Sequence, residues 1–208
     1  MILIGQFDSP FVRRVGIALR VLGLAFEHRP WSTFGDAELI APYNPLCRVP
    51  VLVLDDEKAL VESSAILDHI DSLSDPSKRL IPAEGPARRQ ALRVCALSTG
   101  LADKAVSLFY ERALHEHQSD LWRSRCEHQI QGVLTMLNTE RAERATPYWF
   151  GESIGHADIA LACALRFTAD AHPSLWQAER WPALGAHAER CEALPVFQEI
   201  SQAFVPPK

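Results

Sequence analysis

Three short segments in the first third of the chain carry polar side chains whose type and position suit ligand chemistry. Ser9 stands directly before Pro10, where an apolar helical pattern begins. Serine before proline is a typical helix N-cap, because proline has no N–H to leave unpaired. The free N–H groups and the dipole of a helix N-terminus also favour bound anions. Ser9 is therefore either a cap alone or a cap whose hydroxyl also contacts a substrate.

The other two segments surround Pro50 and Glu62. Pro50 lies in the apolar run RVPVLV. Proline in a strand is confined to the strand's start or to a sheet edge, and an X-Pro bond there is sometimes cis. Glu62 ends a second short run just before Ser63 and Ser64, one of which is expected to cap the next helix. The Glu62 carboxylate, at a strand end beside a helix N-terminus, is suited to binding an amine.

The first 75 residues alternate strand and helix signals. MILIGQF and LAFEHRP are typical of short strands, and the helical pattern that starts after Ser9 lies between them. RVPVLVLDDEKALVES predicts a hairpin, and another amphipathic helix follows it. The order β-α-β, β-hairpin, α predicts a mixed sheet flanked by helices.

A break in composition separates this part from the rest of the chain. SDPSKRLIPAEGP holds three prolines and a glycine, and it predicts a linker over residues 76–86 between a first domain, 1–75, and a second, 87–208. All patterns in the second domain are helical. ADIALACALRFTADA is apolar on every face, which is typical of a central helix in a bundle.

Composition narrows the class of protein. The chain has 208 residues, 48% of them hydrophobic, and a net charge of −5, which argues against nucleic acid as a partner. The N-terminus lacks the basic and long apolar regions of a signal peptide, and no apolar run is long enough for a membrane span. Five cysteines without a C-x-x-C pair suit a reducing compartment, so we expect a cytoplasmic protein. The histidines show no metal-binding spacing, and we expect no metal.

The three polar segments together resemble the glutathione transferase family. SPFVRRVGIALRVLGLAFEHRP resembles the family's opening β-α-β with an active-site serine. YNPLCRVPVLVLDD is similar to its NP-x-G-K-V-P-x-L segment, and LVESSAILDHID to its ES-x-A-I-x-x-Y-L segment. GESIGHADIAL resembles a motif of its helical half. The S-P-F form is most similar to serine-type classes such as tau.

The resemblance implies a fold and a set of site residues. The fold would be a thioredoxin-like α/β domain that binds glutathione, followed by an all-helical domain that walls the second-substrate pocket. Ser9 would donate a hydrogen bond to the glutathione sulfur. The residues implied to hold the rest of glutathione are Arg48 near the glycyl end, Val49 through its backbone before a cis Pro50, and Glu62 and Ser63 at the γ-glutamyl group.

Two positions depart from the family pattern. Cys47 replaces a glycine, and is either a packed thiol or a redox-active one. Gly155 stands where the family usually has a serine or threonine N-cap three residues before the aspartate, so we expect a weaker capping box with Gly155 as N-cap and Asp158 at the third helical position. The second-substrate pocket is the least specified part of the sequence. Its candidate residues, each equally suited to the core, are Phe7, Leu101, Lys104, Ala105, Leu108 and Trp149.

The function implied is conjugation of the glutathione thiolate to small hydrophobic electrophiles, with glutathione as cosubstrate. The resemblance also implies a homodimer. Three alternatives remain open: glutathione-dependent isomerisation, glutathione-dependent peroxide reduction, and non-catalytic binding of apolar ligands. The zeta class of isomerases carries an S-S-C motif that DSPF fits less well. Thiol–disulfide exchange is disfavoured, because no cysteine precedes residue 47.

Overall fold

The structure is a computed structural model that describes residues 1–206. Its first part contains four strands and three helices, which are β1 (Ile2–Ile4), α1 (Pro10–Val21), β2 (Glu27–Arg29), α2 (Ala37–Ile40), β3 (Val51–Val53), β4 (Ala59–Val61) and α3 (Ser63–Leu73). A 3₁₀ turn at Pro76–Lys78 follows. The second part is helical, with α4 (Gly85–Leu114), α5 (Asp120–Ala142), α6 (His156–Ala171), α7 (Pro182–Glu192) and α8 (Pro195–Glu199). The helix α4 begins inside the segment expected as the linker.

The four strands form one mixed sheet in the order β2-β1-β3-β4. The strands β1 and β2 are parallel, whereas β3 is antiparallel to both β1 and β4. This arrangement confirms the predicted β-α-β, hairpin and helix. Pro50 directly precedes β3, which is an interior strand, so the sheet-edge interpretation of this proline was wrong. Proline is tolerated there because it lies before the first residue of the hydrogen-bonded ladder.

The helix α1 lies at the centre of the molecule. Residues 12–19 are all buried, including the charged side chains of Arg13 and Arg14. The helix packs against α3 on one side and against α6 of the helical part on another. Arg13 donates from Nε to the carbonyl oxygen of Ile200 at 2.8 Å, from Nη2 to that of Phe197 at 2.9 Å, and from both terminal nitrogens to the carboxylate of Glu192. One buried arginine therefore joins the first helix to the end of the chain.

The helix α6 is buried over most of its length, as the sequence predicts for a central helix. Its start is fixed by Asp158, whose Oδ2 accepts a hydrogen bond from the Gly155 N–H at 2.8 Å. The predicted capping box is confirmed. A Cβ atom at Gly155 would lie 2.8 Å from the carbonyl oxygen of Leu80, and the His156 N–H donates to that same oxygen at 2.9 Å. Glycine at the cap therefore lets the connecting segment contact α6 directly.

The Asp158 carboxylate also meets a fully buried histidine. Its Oδ1 accepts from the Trp149 N–H at 2.7 Å and lies 3.6 Å from Nε2 of His187. Arg141 donates from Nε to Nδ1 of His187 at 3.4 Å, which leaves the ring proton on Nε2, facing the carboxylate. Burial, with the positive charges of Arg141 and Arg190, lowers the pKa of His187 to about 3. The folded protein therefore keeps this ring neutral.

We expect the buried histidine to make the fold sensitive to acid. The unfolded chain protonates His187 near pH 6.5, whereas the folded chain does so only near pH 3. The stabilisation is complete above about pH 6.5 and declines as the pH falls, because only the unfolded state gains the proton. At pH 5 this single residue should lower the free energy of unfolding by about 2 kcal/mol relative to pH 7.

Urea denaturation of the wild type, His187→Gln and His117→Gln at several pH values measures this effect. His117 is exposed and serves as the matched control. The control should keep the wild-type dependence on pH, whereas His187→Gln should show a shallower one between pH 7 and 5. An unchanged dependence in His187→Gln would contradict the assignment.

Candidate active site

Ser9 is the N-cap of α1, as predicted. Its backbone is extended, and its Oγ accepts a hydrogen bond from the Val12 N–H at 3.4 Å. Pro10 occupies the first helical position, and the side chain of Ser9 is only partly buried. Because the hydroxyl oxygen is the acceptor in the cap, the hydroxyl proton stays available for a ligand. A serine in this geometry can cap the helix and donate a hydrogen bond at the same time.

The residues expected to bind glutathione lie in segments that leave the sheet at the same end of its strands. Ile4, the last residue of β1, pairs with Val51 at the start of β3, and Val51 pairs with Val61 at the end of β4. The segments that follow β1, precede β3 and follow β4 therefore leave the sheet side by side. These segments carry Ser9, Val49 and Glu62, which are far apart in the sequence.

Gly5 permits the close approach of two of these segments. It has a φ of +125°, and a Cβ atom there would lie 2.5 Å from Cγ2 of Val12 and 2.8 Å from Cβ of Val49. Any side chain at this position would push the first turn of α1 away from the loop before β3. The Val49–Pro50 peptide bond in that loop is cis.

Glu62 has an unusual backbone conformation for a residue with a side chain. Its φ is +71° and its ψ is 118°, its side chain is exposed, and it makes no capping hydrogen bond to α3. Such conformations cost about 1–3 kcal/mol and tend to occur at ligand sites. Ser63 follows as the first residue of α3 and is 2% exposed. The strain at Glu62 turns its carboxylate outward while Ser63 stays against the helix start.

The loop before β3 is held by Asn44. Its Nδ2 donates to the carbonyl oxygen of Arg48 at 2.8 Å, and its Oδ1 accepts from the Leu46 N–H at 3.1 Å. The Arg48 side chain is exposed. Cys47 has a φ of +50°, which favours glycine and explains the glycine of the family motif. Its thiol lies 3.8 Å from the carbonyl oxygen of Ala37.

The structure does not bring together the six candidates for the second-substrate pocket. Four of them, Leu101, Ala105, Leu108 and Trp149, are fully buried in the core of the helical part. Lys104 lies near Trp122 of α5, with Nζ 5.6 Å from the ring centroid. Of the six, Phe7 is the one next to the loop that carries Ser9, and its ring stacks on His28 with centroids 3.8 Å apart.

The residues that face this loop from the helical part are different ones. Tyr110, near the end of α4, lies close to Thr33, Asp8 and Arg48, and burial raises the pKa of its phenol. The ring of Phe34, which is 51% exposed, meets Tyr110 edge to face at 5.5 Å. Sequence reasoning missed both aromatic residues. Phe34 lies in a loop whose sequence has no periodicity. The apolar pattern of α4 does not show which side of the helix faces the core and which side faces the loop that carries Ser9.

Asp8, the residue before Ser9, contacts the C-terminal segment. Its Oδ2 accepts from the Val205 N–H at 3.3 Å, and burial raises the pKa of this carboxyl. Across residues 1–206, no three His, Cys, Asp or Glu side chains come together as a metal site requires. No helix in this part of the chain is long and apolar enough to cross a membrane.

Comparison with known proteins identifies the family. A model of the glutathione S-transferase N-terminal domain matches residues 3–78, and a model of the C-terminal domain matches residues 120–190. A solved glutathione S-transferase from Methylobacterium radiotolerans, in complex with glutathione sulfonate, has a TM-score of 0.90 and 29% identity, covering 100% of this chain and 98% of that one. The chain belongs to the glutathione transferase superfamily.

Two further relatives are a named glutathione S-transferase and an uncharacterised protein. Glutathione S-transferase U19 of Arabidopsis thaliana is 27% identical over 168 residues, which are 77% of this chain and 70% of that protein. The uncharacterised GST-like protein YibF of Escherichia coli is 26% identical over 170 residues, 80% of this chain and 81% of that protein. Membership supports glutathione transferase function at the level of the family.

Proposed function

We propose that this protein conjugates the thiolate of glutathione to small hydrophobic electrophiles, with Ser9 stabilising the thiolate. The observation that carries the proposal is the geometry of Ser9. Its hydroxyl oxygen already accepts a hydrogen bond from the helix, which leaves its proton free to be donated to a ligand at the N-terminus of α1. The Methylobacterium relative was solved with a glutathione derivative, which supports glutathione as the cosubstrate.

The energetics are adequate without a general base. A free thiol has a pKa of about 8.5, so most of it is protonated at neutral pH. Lowering that pKa by about 2 requires about 2.7 kcal/mol of preference for the thiolate. A hydrogen bond to a charged group supplies roughly 1.5–3 kcal/mol, and a helix N-terminus adds roughly 0.3–1 kcal/mol. The Ser9 hydroxyl and the α1 dipole together reach this value.

The rest of the glutathione molecule would lie along the same end of the strands. In this proposal, the backbone of Val49 pairs with the cysteinyl unit and Pro50 shapes the loop. Arg48 attracts the glycyl carboxylate, while Glu62 and Ser63 hold the amine and carboxylate of the γ-glutamyl group. The outward, strained Glu62 supports this assignment, because its conformation has no evident purpose in the fold alone.

The first experiment compares Ser9→Ala with the wild type. The pKa of bound glutathione should rise by about 1–2, because one charge-assisted hydrogen bond is lost. The protein should stay folded and still bind glutathione, while conjugation at neutral pH falls at least tenfold and partly returns at high pH. A pH titration of thiolate absorbance in the binary complex measures the change directly.

Ser119→Ala is the matched control, because Ser119 caps α5 through the same contact, accepting from the Trp122 N–H at 3.3 Å. Both variants should lose about 0.5–2 kcal/mol of stability from the missing cap. The Ser9 variant alone should change the titration. Superimposable titrations for all three proteins would leave Ser9 as a helix cap only. Substrates for isomerisation and peroxide reduction in the same assay would distinguish the other glutathione-dependent reactions.

The γ-glutamyl contacts should determine glutathione affinity rather than the rate of the chemical step. They are remote from the sulfur and therefore act equally on the ground state and the transition state. Ser63→Ala should raise the apparent KM for glutathione and leave kcat within a few-fold. Ser64→Ala, at an exposed neighbouring position, should change neither constant. A large loss of kcat with an unchanged KM in Ser63→Ala would contradict the assignment.

We also propose a cytoplasmic homodimer with a role in detoxification, in which the first domain of each subunit meets the helical domain of the other. The five free cysteines suit a reducing compartment. Large apolar side chains of α3, α4 and α5 are exposed and would be covered in the dimer: Leu73, Leu92 and Met136.

Sedimentation at micromolar concentration tests the dimer. The wild type should sediment at twice the subunit mass of 23.2 kDa. Leu92→Glu should shift it toward the monomer, because a charge would be buried in the interface. Leu121→Glu should not, since this leucine, which is even more exposed than Leu92, lies at the start of α5, away from the proposed contact. A wild-type protein that is monomeric at this concentration would overturn the dimer.

A further inference from the structure

Arg14 is a buried charge without a partner in the fold. The residue is 3% exposed, and within residues 1–206 its Nε and Nη1 atoms are buried without a hydrogen-bond partner. The neighbouring Arg13, which is equally buried, has a carboxylate and two carbonyl oxygens as acceptors. A guanidinium group stays charged, and burying a charge without a partner is costly. Arg14 is therefore suited to an anion that the folded chain itself does not supply.

The side chain of Arg14 extends toward the start of α3. The strands β1 and β4 are both antiparallel to β3, so α1 and α3 begin at the same end of the sheet, and the two helices pack against each other. Arg14 is the fifth residue of α1, and long helical side chains point back toward the N-terminus of their own helix. Burial lowers the pKa of Arg14, while the charge of Glu62 is one of the influences that raise it. The guanidinium is therefore within electrostatic range of the residue that precedes α3.

The N-terminus of α3 has no side-chain cap. Glu62, at the N-cap position, makes no side-chain hydrogen bond to the helix, and Ser63, the first helical residue, is 2% exposed. The first N–H groups of a helix have no acceptor within the helix, and together with the helix dipole they favour a bound anion. An unpaired buried cation and a set of free N–H donors therefore lie at the same end of two adjacent helices.

Asp71, the buried carboxylate of α3, has other partners. It lies eight residues beyond Ser63, near the opposite end of the helix. Its Oδ1 accepts a hydrogen bond from the Leu80 N–H at 3.2 Å and lies 3.3 Å from Nε2 of His156. A ligand carboxylate at the start of α3 would supply the acceptor that Arg14 lacks.

We propose that Arg14 and the N-terminus of α3 together bind one carboxylate, and that this ligand group is the α-carboxylate of the γ-glutamyl residue of glutathione. This inference rests on the proposed glutathione site, to which it adds a binding residue from the interior of α1. Arg14 then selects glutathione over peptides whose γ-glutamyl α-carboxylate is absent or neutral. Because this contact is remote from the thiol at Ser9, Arg14 determines affinity and not the rate of the chemical step.

Binding of two peptides tests the proposal without requiring turnover. One is glutathione, and the other is an analogue in which the γ-glutamyl α-carboxylate is replaced by a neutral amide. Calorimetric titration should show that the wild type prefers glutathione by about tenfold or more, because the analogue lacks the charged acceptor. Arg14→Met should remove most of this preference, by weakening the binding of glutathione about tenfold and that of the analogue less than about twofold. Arg14→Lys, which keeps the charge without the planar fork, should retain part of the preference.

Thermal unfolding provides a second measurement. The unliganded Arg14→Met protein should melt no lower than the wild type, because an apolar side chain replaces an unpaired buried charge. Glutathione should raise the melting temperature of the wild type more than that of Arg14→Met, since the wild type binds it more tightly.

Arg20→Met is the matched control, because Arg20 lies on the same helix but pairs with Glu199 at the surface. It should keep the wild-type preference for glutathione. A full preference in Arg14→Met would overturn the role of Arg14 and leave the glutathione site intact. Failure of Arg14→Met to fold would also overturn that role, because it would show that the fold itself needs the guanidinium. A wild type that binds neither peptide would overturn the glutathione site, and this inference with it.

Discussion

The buried carboxylate of Asp158 is the constraint on which the rest of the structure depends. It binds the first turn of α6 and the backbone of Trp149, and it faces a neutral His187. The cost of burying this carboxylate is offset by hydrogen bonds from the N–H of Gly155 at the helix start and from the N–H of Trp149. The helices α1, α4 and α7 all pack on α6, so each of them contacts the helix whose start this group fixes.

The N-terminus of α1, where Ser9 lies, is held rigidly because α1 packs on α6. Ser9 lies at the start of a helix that is buried between the sheet and α6, so its hydroxyl has little freedom to move. Glu62 lies directly between β4 and α3 with a φ of +71°, and these two flanking elements fix its position. Gly5 lacks the side chain that would separate the first turn of α1 from the loop before β3. The site is thus formed by one rigid helix and two loops that lie beside it.

Local signals in the sequence were sufficient for the β-α-β and hairpin units, the Ser9 cap and the Gly155–Asp158 box, since each depends on residues close together in the chain. The second-substrate site was not accessible in this way. In a helix as long as α4, apolar residues such as Leu101 and Leu108 serve the core, while Tyr110, two positions further on, faces the cleft. Which side is which depends on partners such as Phe34, far away in the sequence, and no periodicity reports such pairings.

The hydrogen bonds of Arg13 have a consequence for the order in which contacts form as the protein folds. The arginine lies in the first helix, but its partners are Glu192, Phe197 and Ile200, which are 179, 184 and 187 residues further along the chain. Contacts of such large sequence separation form late, because a long loop must close before they stabilise anything. On the ribosome the α/β part emerges first, and α1 lacks these contacts until residues 192–200 have been translated.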